Sequence, residues 1–138
     1  MLKRISTTLA AIAALSLSAS LANAASPDGT WLTESGKTQV RIAPCGGNYC
    51  GTVVWMKTPA KDTENPDPAR QSRDLVGSQM LYNLKAEGDN TWKGKLYNFE
   101  NGKTYTGKMQ MMSTNTLRLS GCILGGAICK SQTWRKVK

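Results

Sequence analysis

The sequence predicts an all-β protein that forms a small, closed, eight-stranded antiparallel up-and-down barrel. Turn signals recur about every ten residues, and the segments between them alternate apolar and polar side chains. No stretch of about ten residues carries the pattern of an amphipathic helix. A meander with one apolar face must protect its edge strands, and closure into a barrel removes them. A β-sandwich is the alternative closure, but a uniform succession of hairpins favours the barrel.

The first 24 residues resemble an export signal, so they are not expected to belong to the folded domain. Lys3 and Arg4 precede an apolar run, and Ala22-Asn23-Ala24 forms the small-x-small pattern that signal peptidase requires. The run is about 13 residues long, shorter than the roughly 20 that span a bilayer. We therefore expect one domain, residues 25–138, in the periplasm or secreted and without a transmembrane segment.

Three strands precede a long loop. Trp31–Glu34 is short and ends at Ser35-Gly36, and Thr38–Ala43 alternates apolar with polar residues. Thr52–Met56 is rich in β-branched and aromatic side chains, which favour strands. Residues 57–74 contain three prolines and many charges without apolar periodicity, so this segment is predicted to be a loop.

Five further strands follow, joined by short turns. They are predicted at Gln79–Leu84, Trp92–Tyr97, Thr104–Met112, Thr116–Ser120 and Ile128–Val137. A turn is expected over Ala86–Asn90, and Asn101-Gly102 is the strongest hairpin signal in the chain. This succession completes the eight strands of the barrel.

The four cysteines predict two local disulfides. An even cysteine count in an exported protein indicates disulfides, and Cys45–Cys50 and Cys122–Cys129 would each close a short turn containing two glycines. Loop-closure entropy favours a longer crosslink, but cysteines that flank a tight hairpin already lie at disulfide distance. The alternative is a four-thiolate zinc site, which prefers closer spacing within each pair. We expect no metal and no cofactor.

Closure of the barrel is expected to bring the first and last strands together. Trp31 lies in the first strand and Arg135 in the last, so the guanidinium can stack on the indole. The tryptophan ring would then fill one end of the barrel.

The chain resembles a known family through a series of short motifs in a fixed order. The pattern of Gly29-Thr30-Trp31 with Arg135 is similar to lipocalin and calycin barrels. The whole domain resembles the exported bacterial family called Domain of Unknown Function 2147 through Cys45…Cys50-Gly51, Val53-Val54-Trp55, Asp62…Asn65-Pro66-Asp67, Arg70…Arg73, Leu75…Gly77, Asn101-Gly102-Lys103-Thr104-Tyr105 and Ser131-Gln132-Thr133-Trp134. The resemblance implies a lipocalin-like barrel in the envelope of a Gram-negative bacterium. It implies no established activity and no catalytic residues.

The 57–74 loop is the longest irregular segment and has two interpretations. Loops of this length are often functional, so it is a candidate lid over the barrel mouth, formed by Asp62, Asn65, Asp67, Arg70 and Arg73. Alternatively, the carboxylates cap backbone amides and pair with the two arginines. A calcium site is disfavoured, because the spacing lacks the glycine and distal glutamate of an EF-hand.

The barrel interior is either a solid core or a ligand pocket. Alternation places apolar and aromatic side chains inside, and the candidate pocket residues are Met80, Tyr82, Trp92, Tyr105, Met109 and Met111. Gly94 and Gly107 also fall on the interior face, which favours a pocket, although glycines also mark bends in curled strands.

Composition narrows the function classes. The chain has no histidine, which excludes Ser-His and Cys-His catalysis, so no enzymatic activity is expected. The formal charge of +9 becomes +7 without Lys3 and Arg4, and it is spread along the strands, which disfavours nucleic acid as a partner. Two hypotheses remain. The protein binds a small apolar or amphipathic ligand, or it contacts an envelope protein or anionic polymer through basic strands and loops.

Overall fold

The computed structural model describes residues 26–138, so the predicted signal peptide lies outside the described residues. It contains eight β-strands and two single-turn 3-10 helices. The strands are β1 Gly29–Leu32, β2 Thr38–Cys45, β3 Asn48–Met56, β4 Gln79–Gly88, β5 Thr91–Asn98, β6 Lys103–Met111, β7 Thr116–Ile123 and β8 Ile128–Lys136, and the helices are Pro68–Arg70 and Leu124–Gly126. Among these residues no helix is long and apolar enough to cross a bilayer.

The strands form a closed antiparallel barrel in chain order, which confirms the predicted fold class. Each strand pairs with the next, and β8 returns to pair with β1. Up-and-down order places alternate turns together. The turns at 33–37, 57–78, 99–102 and 124–127 therefore share one end of the barrel, which we call the mouth end. The 46–47, 89–90 and 112–115 turns lie at the opposite end.

The core consists of inward side chains from all eight strands. Its fully buried members include Trp31, Val40, Ile42, Val53, Leu81, Leu84, Met109, Leu117 and Trp134. Fully burying one such apolar side chain contributes about 1.5–3 kcal/mol. This alternating set of apolar residues is what selects the register of each strand, because a slip of one residue would expose it.

Both disulfides join the predicted cysteines. Cys45 is bonded to Cys50 across the β2–β3 hairpin, and Cys122 is bonded to Cys129 across the β7–β8 hairpin. In the second hairpin the two cysteines are directly opposed partners in the strand register. Short-range pairing follows because each hairpin already holds its two cysteines close together.

The first and last strands meet as expected, but the residue above the Trp31 ring differs from the expectation. Register pairs Trp31 with Lys136 and Leu32 with Arg135. The Lys136 ammonium therefore lies 5.9 Å from the Trp31 ring centroid, while Arg135 is exposed on the outer face. Residues that oppose each other in a sheet point to the same side. The expected contact requires Arg135 to oppose Trp31, and the observed register differs from that pairing by one residue.

Strand β4 is longer than predicted and contains a β-bulge. The register with β5 shifts between Tyr82 and Lys85, and Asn83 adopts a left-handed φ of 49°. The strand continues to Gly88, so only Asp89 and Asn90 of the turn expected over Ala86–Asn90 lie between the two strands. Bulges of this kind increase local twist, which helps a sheet to close.

Gly94 and Gly107 serve packing between strands and do not open a pocket. A Cβ on Gly94 would collide with the carbonyl oxygens of Tyr82 and Asn83, so this glycine accommodates the bulge. A Cβ on Gly107 would lie 3.2 Å from the Leu96 Cβ. Glycine at these positions permits close approach of neighbouring backbones.

Candidate ligand-binding site

A cavity opens at the mouth end of the barrel. It occupies about 420 Å³, within the range of small-molecule sites. Its apolar wall is formed by side chains from four strands and the β5–β6 turn, namely Met80, Leu96, Phe99, Leu119 and Trp134. The β1–β2 turn contributes a polar rim through Thr33, Glu34 and Ser35.

A second compartment of about 280 Å³ adjoins the first. Both compartments contact Leu96, Asn98, Leu119 and Gln132. The second compartment is also lined by Asn101, Tyr105, Gly121 and Lys130. The two compartments therefore form one site that is apolar toward the barrel centre and polar toward the β7–β8 hairpin.

The length difference between β1 and β8 explains why the site is open. Strand β1 has four residues and β8 has nine, and only Arg135 and Lys136 of β8 pair with β1. Above this seam the Glu34 carboxylate, in the β1–β2 turn, accepts a 3.1 Å hydrogen bond from the Thr133 amide of β8. The Gln132 and Trp134 side chains therefore border an opening between β8 and the β1–β2 turn.

The polar groups of the site are oriented by neighbouring side chains. The Trp134 indole donates a 2.7 Å hydrogen bond to Gln132 Oε1, which leaves the Gln132 amide nitrogen as a donor. The Asn101 amide donates to the Tyr105 hydroxyl at 2.8 Å, so that hydroxyl keeps its own proton to donate. Among residues 26–138, the four ion pairs do not involve Lys130.

The six predicted pocket residues divide into three groups. Met80 and Tyr105 line the cavity. Trp92, Met109 and Met111 lie toward the opposite end of the barrel, where Trp92 packs edge-on against Tyr49 and both methionines are buried in the core. Tyr82 opposes the exposed Lys95 on the outer face, and its hydroxyl donates to the Gln79 carbonyl.

Strand β8 supplies site residues that the sequence interpretation missed. Gln132 and Lys130 alternate with the buried Trp134, so they occupy interior-facing positions of the strand. The sequence signal that could have identified them is the occurrence of polar residues at interior-facing positions near the end of a strand. Tyr82 was misplaced because the bulge shifts the alternation within β4.

The 57–78 loop is anchored by a buried carboxylate. Asp62 is fully buried and accepts hydrogen bonds from the Tyr97 hydroxyl at 2.6 Å, the Asn65 amide at 2.8 Å and the Arg73 guanidinium at 2.8 Å. The Asp62 amide also donates to the Arg73 carbonyl. A buried carboxylate is stable when hydrogen bonds and a counter-charge replace its water.

These contacts shift two pKa values in opposite directions. Burial raises the pKa of Asp62, but the hydrogen bonds from Tyr97, Asn65 and Arg73 outweigh it, and the net pKa is lowered. Burial, together with the hydrogen bond to the Asp62 carboxylate, raises the pKa of Tyr97 to about 12. The pair is therefore an ionised carboxylate held by a neutral phenol over a wide pH range.

The five candidate lid residues do not line the cavity. Asp62, Asn65 and Arg73 belong to the buried network, while Asp67 caps the Pro68–Arg70 helix and pairs with the exposed Arg70. The loop packs against Tyr97 through Asp62 and against Gly102 through Glu64. A Cβ added to Gly102 would collide with the Glu64 carbonyl. Capping and ion pairing therefore describe Asp67 and Arg70, and the loop flanks the mouth end without lining the cavity through these five residues. In the described chain no cluster of acidic or cysteine residues has the arrangement of a metal site.

Comparison with known proteins places this barrel in a family. A solved structure, protein HP1028 from the human pathogen Helicobacter pylori, described as belonging to the lipocalin family, is similar with a TM-score of 0.73 and 26% sequence identity. The similarity covers 80% of this chain and 82% of that one. None of the curated proteins matches this chain significantly. The family model of DUF2147, described as an uncharacterized protein conserved in bacteria, matches residues 29–136. This chain is therefore a member of the DUF2147 family with a lipocalin-like barrel.

Proposed function

We propose that this protein binds a small amphipathic molecule in the mouth-end cavity. The apolar part of the ligand packs against Leu96, Leu119 and Trp134, and an anionic or hydrogen-bonding end group lies near Lys130. The observation that carries the proposal is a cavity of about 420 Å³ with an apolar wall, adjoined by a second compartment that Lys130 lines, a residue that forms no ion pair within residues 26–138.

The arrangement of polar groups supports an end group that accepts hydrogen bonds. The Gln132 amide nitrogen and the Tyr105 hydroxyl are both oriented with a proton to donate. Lys130 adds a positive charge on the same side of the second compartment. Apolar sites with a few oriented polar groups are typical of small-ligand pockets.

A binding role accounts for these features better than catalysis does. The one buried carboxylate with a shifted pKa among the described residues, Asp62, lies outside the cavity and is hydrogen-bonded on both oxygens. The chain has no histidine to act as a general base. We place the protein in the periplasm or outside the cell, a location with which its two disulfides are compatible.

Filling the cavity tests the proposal directly. A Cβ on Gly121 would meet Tyr105 at 3.7 Å, an ordinary contact, so Gly121→Leu places a larger side chain in the second compartment. We expect a fluorescent fatty acid to bind the wild type saturably and to bind Gly121→Leu at least tenfold more weakly. Gln110→Leu adds the same side chain on the outer face of β6 and should leave binding unchanged.

The end-group assignment has its own test. Lys130→Gln should weaken binding of the fatty acid about tenfold but leave binding of the matching fatty alcohol nearly unchanged, since hydrogen bonds to charged groups are worth about 1.5–3 kcal/mol. Equal binding by the wild type and Gly121→Leu would reject the cavity as the site. Absence of binding by the wild type would favour the alternative, an interaction protein.

A further inference from the structure

The β7–β8 hairpin presents apolar side chains to solvent. Leu124 at the turn is 74% exposed, and the cross-strand pair of Ile123 and Ile128 is 48% and 55% exposed. We call these three residues the apolar tip. Leaving such side chains in water forgoes the favourable free energy of burying them. Clusters of exposed apolar side chains therefore often mark interaction sites.

The backbone of the hairpin holds the tip in this exposed arrangement. Leu124 adopts a left-handed φ of 53°, a conformation that bulky residues rarely take. Two glycines with positive φ follow it, and the Cys122–Cys129 disulfide lies directly below the apolar pair. A strained leucine that is kept exposed by a crosslinked turn indicates a role for its side chain outside the core.

Lysines surround the tip on both faces of the hairpin. The Lys108 ammonium lies 3.5 Å from the Gly126 carbonyl oxygen, and Lys130 follows Ile128 by two residues on the cavity side. Lys108 also belongs to a row across three strands, because Lys85 opposes Lys93 and Lys93 opposes Lys108.

Within the described part of the chain, this lysine row has no compensating ion pair. Like charges placed directly opposite each other destabilise a sheet. None of the four ion pairs among residues 26–138 involves these lysines. Glu87 borders the same surface depression as Lys108 and Arg118 but forms no ion pair within 4.0 Å there. These lysines are therefore available to an external anion.

We propose that the β7–β8 hairpin docks this protein on an anionic phospholipid surface, with the apolar tip in the interface and the lysines against the headgroups. A soluble polyanion would use the lysines but leave the apolar tip in water. An interfacial bilayer uses both, since membrane binding combines apolar burial with attraction to anionic lipid.

Docking in this way would also orient the cavity. The tip lies at the mouth end, and strand alternation places Ile123 and Ile128 on the same face as Gly121 and Lys130, which line the second compartment. The cavity mouth would then face the lipid surface. The docking proposal does not depend on a bound ligand, so it can succeed or fail independently of the proposed function.

Vesicle flotation of the purified exported protein tests the proposal. We expect binding to vesicles of phosphatidylcholine mixed with phosphatidylglycerol, and little binding to phosphatidylcholine alone. Leu124→Asn should reduce binding about tenfold or more while the melting temperature is kept or raised, because asparagine tolerates a left-handed φ. The control is Met112→Asn, which removes a side chain of 50% exposure from the β6–β7 turn at the opposite end and should bind as the wild type does.

The charge contribution is measured separately. Lys93→Gln combined with Lys108→Gln should weaken binding about fivefold per lysine, and added salt should weaken the wild type in the same way. The proposal fails if the wild type does not float with anionic vesicles. It also fails if Leu124→Asn binds the vesicles as the wild type does, because binding would then be explained by charge without the apolar tip. A dimer in sedimentation velocity that Leu124→Asn dissolves would assign the tip to a second copy of the chain and overturn membrane docking.

Discussion

The Tyr97 hydroxyl on β5 donates a 2.6 Å hydrogen bond to Oδ1 of Asp62, which lies 35 residues earlier in the chain. The Arg73 guanidinium contacts both groups, with its Nε 2.8 Å from Asp62 Oδ2 and its central carbon 5.9 Å from the Tyr97 ring centroid. This pair joins the 57–78 loop to the barrel wall. The loop beside the cavity is therefore held in place by buried polar contacts.

Removal of the Tyr97 hydroxyl should loosen this loop. Tyr97→Phe leaves the buried Asp62 carboxylate with one donor fewer, and a hydrogen bond to a charged group is worth about 1.5–3 kcal/mol. Tyr82→Phe is the matched control, since it removes a bond to the neutral Gln79 carbonyl worth about 0.5–1.5 kcal/mol. Urea denaturation of both variants measures the difference. Equal free energies of unfolding for Tyr97→Phe and Tyr82→Phe would show that the hydrogen bond to Asp62 contributes no more than the hydrogen bond to the neutral Gln79 carbonyl.

Stability should fall at both ends of the pH range for reasons that involve the same pair. The pKa of Asp62 is lowered in the folded state, so its contribution is present above the unfolded value of about 4 and is lost as the pH falls through the folded pKa. The pKa of Tyr97 is raised to about 12, so its contribution is present below about pH 10 and is lost between 10 and 12. A difference between the wild type and one variant isolates the contribution of this pair. The measurement is therefore the wild-type stability minus that of Tyr97→Phe, which should decline above pH 10; a constant difference would contradict it.

The same substitution at two glycines should have opposite consequences. Gly94→Ala places a Cβ against the carbonyls of Tyr82 and Asn83 and should destabilise the barrel by about 1–3 kcal/mol. Gly121→Ala meets only ordinary contacts at 3.7 Å and should be neutral or slightly stabilising, because glycine weakens a strand. Thermal unfolding of the two variants checks the prediction. A stable Gly94→Ala would mean that the β4 bulge does not lie against Gly94.

The seam between β1 and β8 depends on Trp31. Its ring is fully buried, and its indole donates a 2.9 Å hydrogen bond to the Pro27 carbonyl. We expect Trp31→Ala to cost about 3–5 kcal/mol, as for other buried aromatic residues. Arg135→Ala, in the same seam but exposed, should change the melting temperature little. If both variants melt at the wild-type temperature, the Trp31 ring does not close the barrel.

The sequence by itself determined the eight strands, their order and both disulfides. Alternation along each strand is a local property, and Asn101-Gly102 and the two cysteine turns specify hairpins between neighbours in the chain. When every strand pairs with the next one in the chain, the only long-range pairing is the one between the first and last strands, which covers both edges of the sheet. The burial of Trp31 followed from the same reasoning.

Only the tertiary structure decided which positions face the cavity. The bulge at Asn83 moved Tyr82 to the outer face, and the short β1 left Gln132 and Lys130 beside an opening instead of a neighbouring strand. A bulge changes the parity of a strand by one residue, and neither its position nor the stagger of a closed barrel is encoded in local alternation. The Asp62–Tyr97 contact spans 35 residues and forms because the loop and the β5–β6 hairpin meet at one end of the barrel. Asp62, which the sequence assigned to a lid or to capping interactions, is thus a buried contact between loop and barrel, since burial is a property of the whole fold.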